Sequence, residues 1–171
     1  MISAGDSIHN PITGETFTWI KTGRETGGAV AQCDLRLEPT ARLAAPHIHA
    51  VQEERFDVLE GKVQLVRGKT RGVAEAGETV IVPAGMPHSW APIEGSALVR
   101  VTFTPGNQVE EFFEKFCEWA NEGRVNAKGL PPTHLIGPVA VRHELFLTGP
   151  PVPLQRALMR MLGRIQDALA R

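Results

Sequence analysis

The sequence predicts a mainly β chain, a jelly-roll barrel or β-sandwich carrying a C-terminal extension of two to three helices. Two observations carry this reading. From Glu15 to Thr104, short segments alternate apolar and polar residues at period two, broken by Gly, Pro, Asn and Asp; from Asn107 the period lengthens to about 3.6. A chain of 171 residues is one domain by length and long enough to bury about 70% of its unfolded surface. The expected organisation is a barrel with its N-terminal strands over residues 1–106 and a helical extension packed on it over 107–171.

Residues 6–14, DSIHNPITG, carry Asn-Pro and Thr-Gly pairs and read as turns, with His9 facing solvent. ETFTWIKT follows as a half-buried strand, Phe17 and Trp19 alternating with Thr16 and Thr18. In AVAQCDLRLEP, Ala31, Cys33, Leu35 and Leu37 share one face and Gln32, Asp34 and Arg36 the other. Arg36 reads as an exposed or interface arginine, the alternative being a contact to a bound carboxylate. His47 and His49 stand two apart, so on an extended segment both imidazoles leave one face. Glu54 alternates with Phe56 and Val58 on a second strand, and Glu53 is a solvated or supporting neighbour. A turn at Glu60–Gly61 is expected to send GKVQLVRG back as a hairpin partner. TRGVAEAGE descends, ETVIVP forms the next strand, and the bend PAGMPHSW delivers His88 before SALVRVTFTP closes the sheet. About eight to ten strands at this spacing suit a sandwich or jelly roll.

Asn107 with Glu110 reads as a capping box, followed by an apolar stripe of Val109, Phe112, Phe113, Phe116 and Trp119 or Ala120, with Gly123 as the stop. A second helix is expected over Thr133–Leu147, kinked or delayed by Pro138. The last helix, after GPPVP, places Leu154, Leu158, Met161, Leu162, Ile165 and Leu169 on one face, expected to pack on the barrel, and Arg156, Arg160 and Arg164 on the solvated face.

Three imidazoles and a carboxylate are ligands for one borderline divalent metal ion per chain: iron, manganese, nickel, copper or zinc. No Cys is near them, and Cys33 and Cys117 fit no zinc spacing and read as free, buried thiols. Here the chain resembles the cupin superfamily. His47-x-His49, four residues, Glu54, six residues and Gly61 follow the first cupin motif, with Ala41 in place of its leading Gly; Gly77, five residues, Pro83-x-Gly85, two residues and His88 follow the second, with Pro92 in place of its closing Asn. The resemblance spans residues 28–104 and implies a cupin-type barrel with His47, His49, Glu54 and His88 as metal ligands.

A dioxygenase-type oxidoreductase acting on a small, partly apolar organic molecule is the leading expectation. Glu54 would supply charge and act as a base, and Phe56, Met86 and Trp90 would wall the substrate pocket. A non-catalytic small-molecule or metal-binding module and a metal-dependent isomerase are the alternatives. A metal-independent epimerase of the cupin kind is disfavoured because the chain contains no Tyr. A net charge of −1 gives no footprint for nucleic acid. No apolar run approaches the roughly eighteen residues of a membrane span, and the start of the chain lacks the pattern of a signal peptide, so the expected location is the cytoplasm. The resemblance implies a homodimer.

Overall fold

The computed structural model describes residues 1–42 and 45–169, with side chains described as far as Met161. The expected positions of Leu162, Arg164, Ile165 and Leu169 on the last helix therefore lie outside the described side chains. The strands are β1 (Ser7–Asn10), β2 (Glu15–Lys21), β3 (Ala31–Leu37), β4 (His47–His49), β5 (Glu53–Arg67), β6 (Thr70–Glu75), β7 (Thr79–Val82), β8 (His88–Thr104) and β9 (Leu145–Leu147). The helices are α1 (Val109–Asn121), α2 (Thr133–Arg142) and α3 (Val152–Leu169).

One curled antiparallel sheet runs β1-β2-β3-β8-β4-β9, with β5 pairing β6, β7 and β8. The inward residues are those of the period-two pattern: Phe17, Trp19, Cys33, Leu35, Leu37, Phe56, Val58, Val99, Val101 and Phe103 are all buried. α1 lies over them, its Phe113 ring 4.6 Å from that of Phe17 and 5.8 Å from that of Phe103 between centroids. A smaller cluster of Phe112, Phe116, Ala140 and Leu145 joins α1, α2 and β9. Cys33 and Cys117 are free and buried, as the sequence predicts.

The expected hairpin turn at Glu60–Gly61 is instead a corner inside one long strand. β5 stays paired with β8 from Glu53↔Thr104 to Arg67↔His88, its register shifting between Val58 and Lys62. Because β8 offers a continuous partner edge, the chain bends there without reversing, as a bulge allows. Gly61 has φ 75°, and a Cβ on it would stand 2.4 Å from Ser96 O. The reversal comes later, at Gly68–Lys69, where Arg67 pairs with Thr70.

Other departures have local causes. Ser7–Asn10, read as turn, is a strand on β2, and the turn proper is shorter, with Asn10 Oδ1 accepting from the N–H groups of Ile12 and Thr13. The capping box is not made: Gln108, in the left-handed region, caps α1 without a side-chain bond, and the buried Glu110 accepts from Gly23 N–H at 2.9 Å and Arg24 N–H at 3.0 Å. The second helix stops at Arg142, with Pro138 inside it, and residues 145–147 leave it to pair with β4, His47 opposite Leu147 and His49 opposite Leu145. The described part of the stripe on α3 faces outward, with Leu154 60%, Leu158 45% and Met161 52% exposed. A polar residue anchors that helix: Gln155 is buried, bonding both Leu147 N–H and Leu147 O and also Pro150 O. Met159 packs at Gly137 of α2, while Arg156 pairs with Glu144 and lies over the Phe146 ring.

Candidate metal centre

β4 is three residues long, and its alternation sends His47 and His49 to the same side. His88 opens β8 directly opposite His47, and Glu54 sits at the start of β5 between Val82 and Phe103. The sheet thus brings all four expected ligands together, with one ligand atom from each lying within 4.8 Å of the others. His47 Nε2 and His49 Nε2 are 3.1 Å apart, and Glu54 Oε2 is 3.6 Å from His49 Nε2 and 2.6 Å from His88 Nε2.

Each ring is oriented by an oxygen acceptor at its other nitrogen. His47 Nδ1 faces Ala45 O at 3.2 Å, His49 Nδ1 faces Gln52 Oε1 at 3.0 Å, and His88 Nδ1 faces Met86 O at 3.2 Å. An oxygen acceptor requires Nδ1–H, which leaves a lone pair on Nε2. In His47 and His49 these lone pairs point at each other, a repulsive arrangement that a cation between them converts into attraction. Glu54 Oε2 and His88 Nε2, though close, make no regular hydrogen bond to each other or to another described group. The donor set and its orphaned atoms fit a divalent metal ion.

For His47, His49 and Glu54 the electrostatics agree with that fit. Burial, reinforced by the neighbouring rings, pushes His47 well below the usual imidazole range, and burial lowers His49 as well, so both are neutral donors. Burial alone would raise Glu54, but His49, His88 and His47 outweigh it and pull its carboxyl down to about 2. Burial would lower His88, but Glu54 beside it raises it.

Two residues at the site were not singled out by sequence. Gln52, almost fully buried, donates to Pro105 O and Gly106 O, at 2.9 and 3.0 Å, which turns its Oε1 toward His49. As a lone amide in a loop it carries no distinctive signal. Glu15 is only 3% exposed. Burial pushes its carboxyl up to about 7, with the Thr13 hydroxyl pulling the other way. Its signal was legible, because Glu15 is in phase with Phe17 and Trp19 and so belongs to the inward face of β2.

Glu15, His47 and Phe113 line both of two neighbouring cavities. The inner, about 30 Å³, lies inside the barrel against Glu54, Phe56, Trp90 and Phe103. The outer, about 70 Å³, lies under α1, α2 and β9 against Phe112, Phe116, Ile136, Leu145 and Leu147. Of the three expected wall residues, Phe56 and Trp90 therefore line the inner cavity. Met86 packs against the main core and lines neither, though its carbonyl orients His88. Arg36 is exposed, 3.8 Å from Glu60, and does not face the site. His9 lies on β1 beside Thr16, outside the cluster.

Residues 34–105 match the family described as Cupin domain. That stretch holds all four clustered residues. The barrel is of the cupin type. No curated protein matches the chain. Solved structures similar to it include KdgF from Halomonas sp., 15% identical, covering 58% of this chain and 87% of that one with a TM-score of 0.50. A sugar phosphate isomerase from Silicibacter pomeroyi is 26% identical over 54% of this chain and 60% of its own, with a TM-score of 0.47. The Cnp3 cupin domain of Schizosaccharomyces pombe is 16% identical over 58% of this chain and 68% of its own, with a TM-score of 0.49. These likenesses concern the barrel fold. No helix among the described residues is long and apolar enough to cross a membrane.

Proposed function

We propose that His47, His49, Glu54 and His88 hold one divalent metal ion and that this cupin is a dioxygenase-type oxidoreductase acting on a small, partly apolar organic molecule. The observation that carries the reading is the convergence of three Nε2 lone pairs and a carboxylate oxygen, with every ring fixed from behind, at the floor of a largely apolar cavity. A bound ion of the iron, manganese, nickel, copper or zinc class would supply Lewis acidity and, if redox-active, electron transfer with dioxygen. The chain does the rest. Phe56, Trp90 and Phe103 keep water away from the cluster. Gln52 and the two carbonyls hold the imidazoles, and Glu54 supplies negative charge and a base.

A metal-dependent isomerase is the second reading, and Glu15 favours it. A carboxyl that titrates near neutrality in the same cavity, outside the ligand set, can carry a proton between two substrate carbons without any oxidant. We also propose a homodimer in the cytoplasm, supported by the exposed apolar stripe of α3 and by two cysteines left free.

Elemental analysis of protein purified without added metal, beside the His47→Ala/His88→Ala variant, tests the site: one ion per chain, lost in the variant, is the expected result. Dioxygen uptake by the iron-loaded protein over a panel of catechols, flavonols and thiols then separates the readings. Uptake matched to substrate loss supports the oxidoreductase. Silence with dioxygen, together with solvent deuterium entering recovered ketones or aldoses, supports the isomerase. Neither signal leaves a binding module.

A further inference from the structure

The inner cavity is too small to hold an organic substrate. Its 30 Å³ is about the share of one water molecule in the liquid, and the 70 Å³ outside it is half of the roughly 150 Å³ that accepts benzene. Whatever reaches the cluster must therefore extend outward, and the structure provides the space. A third cavity of about 200 Å³ lies between α2, α3 and β9 and shares Leu130, Ile136, Leu145 and Leu147 with the 70 Å³ cavity. The largest of the three spaces in this series is thus built by the helical extension rather than by the barrel.

The series has a polarity gradient. Its inner end holds Glu15, His47 and Glu54, and among the described residues no ionisable one lines the 200 Å³ end. The polar side chains there are committed or peripheral. Gln155 is bonded to the backbone of Leu147 and Pro150, Asn126 Oδ1 accepts from the N–H groups of Lys128 and Leu130, and Thr133 is exposed at the rim. The middle section is flanked by the rings of Phe112, Phe113 and Phe116, and its 70 Å³ holds a few methylenes rather than a ring system.

We infer that the substrate is an amphiphile, whose straight alkyl or acyl tail lies in the cavity of the helical extension while its polar head passes Glu15 to the His/Glu cluster. The head's destination rests on the metal reading proposed above, whereas the tail's place rests on the apolar cavity of the extension and the residues it shares with its 70 Å³ neighbour. The extension is then half of the substrate site, and β9 serves both halves: it covers the outer edge of β4, which carries His47 and His49, and supplies Leu145 and Leu147 to the passage.

The test is a chain-length series of n-alkyl hydroxamates, from acetohydroxamate to octanohydroxamate, titrated calorimetrically into zinc-loaded protein. Each buried methylene should tighten binding about three- to fourfold until the passage is full. Thr133→Trp at the exposed rim and Ala140→Phe in the wall should remove the gain for long tails and leave acetohydroxamate unchanged. A flat series in a protein that binds zinc and acetohydroxamate overturns the tail inference and leaves the metal reading standing. Absence of zinc and of acetohydroxamate binding removes the metal reading. The tail is then decided by n-alkanols on metal-free protein: one-to-one binding that strengthens from butanol to octanol and is lost in Thr133→Trp supports it. Indifference to length there overturns it.

Discussion

Glu15 is the residue whose environment departs furthest from what its type prefers. A carboxyl buried with Thr13 as its hydrogen-bond partner among the described residues holds its proton to about pH 7, whereas in the unfolded chain it ionises near 4.5. Across that window the folded state carries more protons than the unfolded one, so stability falls as pH rises from 4.5 to 7 and levels off above it. Integrated, the loss is at most about 3 kcal/mol. Groups that share its surroundings are Cys33 on β3, Cys117 on α1, and His47 and Glu54 across the inner cavity. Glu15→Gln should remove this slope: in urea unfolding at pH 5 and pH 8, the variant should gain on the wild type by about that amount at the higher pH. A difference between the two proteins that is the same at both pH values would show that Glu15 does not titrate there. The ligand residues were legible because each stands at a spacing that fixes its face. Glu15 was legible only as an inward-facing carboxyl in phase with Phe17 and Trp19, and Gln52 not at all. The groups around them, His47 and Glu54 for Glu15, Pro105 and Gly106 for Gln52, come from distant segments.

At the scale of elements, the β5–β8 pair organises the barrel, and its corner depends on Gly61. Alanine there meets two penalties at once, a φ of 75° and a backbone oxygen 2.4 Å from the new Cβ. Gly61→Ala should therefore cost about 2–3 kcal/mol in urea unfolding. Gly68→Ala, with φ 57° but open space around it, should cost only about 1 kcal/mol. Equal costs at the two glycines would mean that the close approach to Ser96 carries no energy. Strand periodicity identified the inward faces of β2, β3 and β5 correctly. The apolar run at the end of β8, however, reads as covered on both sides, although only Ala97, Val99, Val101 and Phe103 of it are buried. The pattern also turned a corner into a hairpin and a strand into the end of a helix. Glycine suits a bulge as readily as a turn, and three residues such as Leu145–Leu147 are too few to show a period.

For the molecule as a whole, the outward stripe of Leu154, Leu158 and Met161 is an exposed apolar surface among the described residues, and the proposed homodimer would cover it. Leu154→Glu/Leu158→Glu should convert the dimer to a monomer in light scattering with the fold intact by circular dichroism. A wild type that is monomeric, or a variant that remains dimeric, would remove α3 from the interface. The sequence by itself determined the class of fold, the order of inward faces and the four candidate ligands, because alternation at period two and fixed spacings between turns are local properties of the chain. The tertiary structure decided the rest: which side of α3 is buried, what holds each imidazole, and where a substrate body fits. These depend on pairings between distant segments, such as β4 with β9 and Gln155 with Leu147, in which hydrogen bonds satisfied across the fold outweigh the hydrophobic pattern of one helix.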